Sequence, residues 1–447
     1  MSGFTRREFI KWLGASGALS SVGLAGCQTT PASTPGASAS STPPAAPAPR
    51  AAPRVVVVGG GFGGATCAKY LRMYDPGIEV TLIEQNGSYV TCPGSNWVFG
   101  GMRTIDELTQ NYAALRDRHG VNVVIDRVVG VDAGKRQVKL ASGRTLAYDR
   151  LVMSPGIDFR WGEIEGYDDA ATQLMPHAWK AGPQTLLLQK QLQAMPDGGT
   201  FIMAPPPMPF RCPPGPPERA SMVAHYFKTR KPKSKILILD AKDNFSKQAL
   251  FMQAWEQLYP GMIEWVPATS GGKVVRVDPK SQTVFTSNGG SHKGSVVNII
   301  PAQRAPGLTA DTGLVNETGW CPVNQLTFES TRVPNIHVIG DASIAGALPK
   351  SGHTANNIAK MTAAAIVSLF RGVPPPQPSH VNTCYSLVSP DYGISIAGVY
   401  RLGEDGQLQG VKGAGGLSPS DANALQRSQE AGYAQGWYKS IVADSFG

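Results

Sequence analysis

The 447-residue chain contains no Cys-x-x-Cys and no Cys-x-x-Cys-His, so it neither attaches c-type haem nor carries the short dithiol motif of thioredoxin-like proteins. Its seven histidines show no ligand spacing with one another or with the six cysteines, and no metal site is expected. Charged residues are sparse at 16%. There is no block of like charge and no nucleic-acid motif, so no nucleic acid is expected as a partner. Beyond the N-terminus no apolar run reaches membrane-spanning length. What is present is a globular composition, 42% hydrophobic, in a chain long enough for two or three domains with a large core. Lys and Arg exceed Asp and Glu by 41 − 32, a formal +9. Arg6, Arg7 and Lys11 against Glu8 supply +2 of that, and the remaining +7 is spread thinly. Such a field suits an anionic substrate or an acidic protein partner, and it equally serves as a solubility property alone.

The N-terminus reads "TRREFIKWLGASGALSSVGLAGC". The twin arginine resembles a folded-protein export signal, and Leu24-Ala25-Gly26-Cys27 resembles a lipobox whose cysteine is lipidated after cleavage. Together they imply export from the cytoplasm, a periplasmic or otherwise extracytoplasmic location, and membrane contact through Cys27 alone. Residues 28–53 are Ala, Pro, Ser and Thr apart from Gln28, Gly36 and Arg50; this is a tether with nothing to bury.

"RVVVVGGGFGGATCAKYLRM" is a strand, a turn and a helix in which Gly59, Gly61 and Gly64 complete Gly-x-Gly-x-x-Gly. The first glycine makes the turn, the second admits a pyrophosphate, and the third lets helix and strand pack closely. "EVTLIE" ends on Glu84, twenty residues after Gly64, where a ribose-binding acid belongs. Far downstream, "NIHVIGDA" sets Gly340-Asp341 after another apolar strand, with Pro155 and Gly156 of "LVMSPG" between. This arrangement resembles the FAD domain of two-dinucleotide-fold flavoproteins. The resemblance implies that Asp341 lies near the ribityl chain and pyrophosphate. It also implies that a helix opening near Ser351 and Gly352 aims its N-terminal dipole at the flavin pyrimidine.

"TFIMAP…ERASMVAHYFK" and "SKILILDAKD" repeat the strand–turn–helix–strand plan, but the turn lacks the glycines. Eight of the thirteen residues from Pro205 to Pro217 are proline, and proline removes the N–H donors that cradle phosphate. The repeat therefore reads as a dinucleotide fold that does not bind NAD. The fold class is α/β, with two Rossmann-like domains and a C-terminal interface domain. The FAD-binding domain is expected at 54–165 and 303–374, the NAD-like domain at 166–302, and the interface domain at 375–447.

The segments that carry cysteine are more specific. "YVTCPGSNWVFGG", "APPPMPFRCPPGPPERAS", "WCPVNQLTFES", "VIGDASIAGALPKSGHTANN" and "NTCYSLVSPDYGISIAGVYR" resemble the flavoprotein subunit of flavocytochrome c sulfide dehydrogenase, from about Arg54 to Gly447. The resemblance implies FAD joined covalently through Cys92, and a redox-active disulfide of Cys212 and Cys384 over the flavin, with Glu218 beside it. Cys67 and Cys321 are left as free thiols or a second pair, and Cys67 has the position of a small core residue. Glu218 also opens a helix, where a carboxylate is favoured whatever its chemistry. A Cys212–Cys384 bridge could likewise serve only as a staple.

The implied activity is sulfide oxidation to zero-valent sulfur, with electrons passed to a separate c-type cytochrome subunit. Two rivals share much of the pattern. One is a sulfide:quinone oxidoreductase, against which the tail from Ser418 to Gly447 reads as polar with one short helix. The other is a non-catalytic flavin electron carrier or sulfur-binding lipoprotein.

Overall fold

The computed structural model describes residues 51–447; the twin-arginine motif, the lipobox with Cys27 and the tether up to residue 50 lie outside the described residues. In chain order the principal elements are β1 (Arg54–Val58), α1 (Phe62–Tyr74), β2 (Glu79–Glu84), β3 (Asn122–Ile125), β4 (Arg150–Met153), β5 (Thr200–Ala204), α2 (Gly215–Arg230) and β6 (Lys235–Leu239). They continue with α3 (Gln248–Leu258), β7 (Ile263–Val266), β8 (Val296–Ile299), β9 (Ile336–Val338), α4 (Gly352–Arg371), β10 (Ser379–Ser389), β11 (Tyr392–Leu402) and α5 (Ala424–Phe446).

The first sheet runs β9-β4-β1-β2-β3, parallel throughout. Its centre is the valine run of β1, with Val57 opposite both Leu82 and Val152. A strand covered on both faces reads as a continuous β-branched run, and Val55, Val56 and Val57 are buried accordingly. Helix α1 packs on this sheet and α4 packs along α1, and a polar contact ties both to α5. Asn356 Nδ2 donates to Thr66 Oγ1 (3.1 Å), which donates to Ser445 Oγ (2.9 Å).

The second sheet runs β7-β6-β5-β8, again parallel, and α2 follows β5 after the proline loop. Strands β10 and β11 form an antiparallel hairpin that places Cys384 opposite Ile396.

The tail is not one short helix. α5 has 23 residues, because its polar residues alternate with Ala431, Ala434, Tyr438, Ile441 and Phe446, a buried stripe at helical spacing. Phe446 packs against Phe62 of α1 at 5.5 Å and stacks on Tyr89 at 5.7 Å. No helix among the described residues is long and apolar enough to cross a membrane.

Candidate active site

The groove at the carboxyl end of the first sheet has a volume of about 620 Å³. Gly59 sits at φ +97°, and a Cβ there would stand 2.3 Å from the Ser154 carbonyl oxygen, so the turn admits only glycine. A Cβ on Gly64 would stand 1.8 Å from the Gly59 oxygen, which is the close helix–strand contact expected of the third glycine. Gly61 caps α1 without any side-chain hydrogen bond, leaving the first-turn N–H groups open to the groove for an anion. Glu84 lines the groove; its Oε2 accepts from Gly60 N at 2.7 Å and its Oε1 from Asn86 N at 3.1 Å. Pro155, Gly156, Gly340, Asp341, Ser351, Gly352 and Cys92 line the same groove, whereas Gly64 packs behind it.

Asp341 is the orphan of this cradle. Its Oδ1 is buried with no hydrogen-bond partner, and its Oδ2 lies 3.9 Å from Arg211 Nη1. Burial raises its pKa, and Arg211 and Lys350 oppose the rise. An unpaired buried acceptor beside open helix N-termini fits a dinucleotide that brings hydroxyl donors and phosphates, as FAD does. Helix α4 is capped by Ser351, whose Oγ accepts from Thr354 N (3.0 Å) and donates to Asn382 Oδ1 (2.6 Å). A Cβ on Gly352 would come within 3.0 Å of Pro93, so the tip of α4 abuts the Cys92–Pro93 turn. That turn is set by Gly94 at φ +82° and by Ser95 Oγ donating to Cys92 O (2.7 Å).

The segments of Cys212 and Cys384, 172 residues apart in the chain, converge on Lys350 and Ser351 at the head of α4: Cys212 N–H donates to Lys350 O, and Asn382, two residues before Cys384, accepts from Ser351 Oγ. Cys212 occupies a left-handed backbone position, φ +57°. Its N–H donates to Lys350 O (2.7 Å) and its carbonyl accepts from Gly215 N (2.8 Å), which anchors the loop to the strand-to-α4 connection. Cys384 lies on β10 two residues from Asn382, whose Nδ2 donates to its sulfur at 3.4 Å. Burial raises the Cys212 thiol far above its ordinary value, and charge on Cys384 and Glu218 raises it further. Both cysteines are unbridged in the structure. Cys67 and Cys321 are buried free thiols as well, the first facing the core from α1, so the second-pair alternative is not realised.

Glu218 ties the two cysteine-bearing segments to each other. Its Oε1 accepts from Leu387 N of β10 (3.0 Å) and from Trp97 Nε1 (3.1 Å), and its Oε2 from Asn96 Nδ2 (2.9 Å). Burial raises its pKa while these three donors and Lys247 oppose the rise. The neighbouring Arg219, 1% exposed, donates to Asn96 Oδ1, Asn298 Oδ1 and two carbonyls and stacks on Trp179 at 5.0 Å.

Three charged residues here have no signal in the sequence: Arg211, Arg219 and Lys247. Arg211 adjoins Cys212 in "FRCPPG", and that adjacency was the one available hint. Trp437 of α5 packs near His353 (6.0 Å) and Tyr385 (6.5 Å), and its Nε1 is buried without a partner.

At the carboxyl end of the second sheet the space beside Ala204, Leu239 and Ile300 is about 60 Å³, narrowed by Pro205, Pro206 and Pro207, against about 620 Å³ in the first. A larger space of about 730 Å³ lies on the outer side of the proline loop, against Trp320 and Leu348, and no cysteine lines it.

Comparison with known proteins assigns these pieces. Residues 185–301 match the family described as sulfide dehydrogenase (flavocytochrome c) flavoprotein chain, central. Residues 376–446 match the flavocytochrome c sulphide dehydrogenase flavin-binding family, and residues 53–183 match pyridine nucleotide-disulphide oxidoreductase. The sulfide dehydrogenase flavoprotein chain of Chlorobaculum thiosulfatiphilum is 69% identical over 45 residues, 94% of that sequence and 10% of this one. The chain belongs to the flavocytochrome c sulfide dehydrogenase flavoprotein family. As a member of that family it is an FAD-dependent oxidoreductase of sulfide oxidation. The mitochondrial sulfide:quinone oxidoreductase of mouse is 21% identical over 306 residues, 65% of each chain. The solved sulfide:quinone oxidoreductase of Aquifex aeolicus superposes with a TM-score of 0.69 at 18% identity, covering 88% of this chain and 92% of that one. That likeness bears on the fold.

Proposed function

We propose that this flavoprotein oxidises sulfide at Cys212 and Cys384, with FAD in the 620 Å³ groove, and delivers the electrons to a separate c-type cytochrome. The observation that carries the reading is the convergence of the two cysteine segments on consecutive residues at the head of α4, Cys212 through Lys350 and the Cys384 strand through Asn382 and Ser351, where Ser351 lines the groove. Bound FAD would supply a two-electron acceptor able to release its electrons singly. The chain supplies the rest. In the oxidised pair, HS⁻ needs no general base, because it is already the nucleophile for a disulfide sulfur. The proline loop and the Cys212–Lys350 hydrogen bond hold one sulfur, β10 holds the other, and Glu218 fixes the distance between their segments. Glu218 is thus assigned a positioning role.

Covalent attachment of FAD through Cys92 is part of this proposal, supported by the placement of Cys92 in the groove wall. So is the disuse of NAD(P)H, supported by the proline loop in place of a glycine turn and by the small space at the carboxyl end of the second sheet. Export by the twin-arginine route and anchoring through a lipidated Cys27 rest on sequence alone. Several acyl chains give stable anchoring where one gives marginal anchoring, so Cys27→Ser is expected to release the enzyme from membranes with its flavin spectrum unchanged.

The test is anaerobic titration of the purified protein with sulfide, followed by cytochrome c or by a soluble quinone. Sulfide is expected to bleach the flavin, and cytochrome c to restore it faster than quinone does. Faster restoration by quinone would favour the sulfide:quinone reaction carried out by the mouse relative, and no bleaching would leave a carrier without sulfide chemistry.

A further inference from the structure

Lys247 is a buried cation that the sequence gives no reason to single out. It precedes α3 at φ +60°, a left-handed position that costs a lysine on the order of 1 kcal/mol and persists only where surrounding contacts over-determine it. It is 5% exposed, and its Nζ points into the β10–β11 hairpin. There it donates to the carbonyl of Cys384 itself (3.0 Å), to Ser386 Oγ (2.7 Å) and to Ile394 O (3.4 Å). The ring of Phe251 lies 5.6 Å from Nζ. The ionisable groups facing it are Cys384, Glu218, Cys212 and Glu430. A lysine donating three hydrogen bonds has its donors fully used, and its charge is set beside one cysteine of the pair in particular.

The two cysteines stand in unequal surroundings. Cys384 has the Asn382 amide donating to its sulfur and the ammonium on its own carbonyl. Cys212 has hydrogen bonds through its backbone, to Lys350 and from Gly215.

We propose that Lys247 holds Cys384 as the leaving thiolate of the pair, so that the sulfur taken from sulfide is carried on Cys212. This rests on the reading that the pair is the site of sulfide attack. The step is HS⁻ + Cys212–S–S–Cys384 → Cys212–S–SH + Cys384–S⁻. A bond forms between the sulfide sulfur and Cys212 Sγ, and the Sγ–Sγ bond breaks with its electron pair going to Cys384. The proton stays on the terminal sulfur, and one negative charge stands on each side. The pair returns to the disulfide as Cys212–S–SH + Cys384–S⁻ → Cys212–S–S–Cys384 + S(0) + H⁺ + 2e⁻: the outer sulfur leaves at the zero-valent level, and the two electrons would go to the flavin and cytochrome acceptor of the family's reaction.

Thiol acidity runs the same way. At Cys384, Asn382 and Lys247 offset burial ahead of the opposing charge of Glu218. At Cys212, Cys384 and Glu218 add to burial ahead of the offsets from the neighbouring Arg211 and then Lys247. Burial lowers Lys247 to about 8, with Cys384 foremost among the groups that hold it up. The lysine therefore carries its proton below pH 8 and loses it above.

The test is alkylation of the phosphine-reduced holoenzyme by iodoacetamide from pH 6 to 10 without sulfide, with Cys212 and Cys384 followed separately by peptide mass mapping. In the wild type, Cys384 is expected to react at least tenfold faster than Cys212 below pH 8. Lys247→Met is expected to slow Cys384 at least tenfold at pH 7 and to move Cys212 less than threefold, with the difference narrowing above pH 8. Lys247→Gln, which keeps a donor toward Ser386 without charge, is expected to behave like Lys247→Met. Faster labelling of Cys212 in the wild type overturns the proposal whether or not a variant folds. So does an unchanged Cys384 rate in a folded, flavin-loaded variant. Sulfide turnover by Cys384→Ser separates the two levels. If it is lost while Lys247→Met leaves alkylation unchanged, the disulfide reading stands and the lysine role falls. If it stays at the wild-type rate, the disulfide reading itself falls, whatever the lysine does to the thiol.

Discussion

A Cβ on Gly215 would stand 2.7 Å from the ring of Trp179 and 3.2 Å from the sulfur of Cys212. The glycine at the head of α2 therefore keeps room for the reactive sulfur and for the indole that stacks on Arg219. Gly215→Ala must displace one or both, since real Cβ atoms do not approach a ring at 2.7 Å. Overpacking of this kind costs about 1–3 kcal/mol. The variant is expected to retain its flavin and fold, and to lose at least tenfold in sulfide-dependent flavin reduction. Stopped-flow reduction beside a thermal melt separates the two effects; wild-type reduction in a destabilised protein would mean that the sulfur's place does not depend on Gly215.

Cys212 and Cys384 are expected to behave as one unit. Cys212→Ser and Cys384→Ser should each keep FAD and lose sulfide oxidation by several orders of magnitude, and the double variant should be scarcely worse than either, because groups acting together are not additive. A bridge serving only as a staple would contribute about 2–5 kcal/mol of stability and leave the rate intact. Near wild-type turnover by either single variant excludes the mechanism.

Cys92 is expected to hold the flavin covalently. Acid precipitation of the wild type should leave the yellow colour in the pellet, and Cys92→Ala should move it to the supernatant while the protein still binds FAD. Colour released wholly from the wild type would remove the covalent bond from the account and leave the groove intact.

The parts legible in the sequence were those with a local cause. The valine run of β1, the glycines at 59, 61 and 64, and Glu84 at the end of β2 are each dictated by neighbours within one strand–turn–helix unit, and the structure places Glu84 on the Gly60 N–H. The cysteine segments were legible through resemblance, since no spacing relates Cys212 to Cys384. Lys247, Arg211 and Arg219 were not legible, because their roles come from groups such as Asn298, Asp341 and Cys384, about 80 to 140 residues away. A buried charge leaves no periodic trace. α5 was misread for a related reason: its polar majority hides a stripe whose partners, Phe62 and Tyr89, lie at the other end of the chain.

Acid should destabilise the fold through three buried histidines. Burial lowers His177 to about 3, and His337 and His380 to about 4. An unfolded histidine takes up its proton near 6.5, so between 6.5 and about 4 the unfolded chain binds more protons than the native one. Stability therefore falls as pH drops through that window, by about 1.4 kcal/mol per pH unit for each proton in the difference. Glu218 and Asp341, both raised by burial, take protons earlier in the fold than in the unfolded chain and oppose part of the loss. His380 isolates the effect, because it is fully buried, packs edge-on to Phe328 at 6.0 Å and has neither ring nitrogen hydrogen-bonded. His380→Phe removes its titration without breaking a hydrogen bond. Denaturant unfolding at half-unit steps from pH 7 to 5 should give His380→Phe a shallower slope than the wild type, by about one proton, whatever its absolute stability. Parallel slopes would mean that His380 protonates in the native state as readily as in the unfolded chain, against its burial.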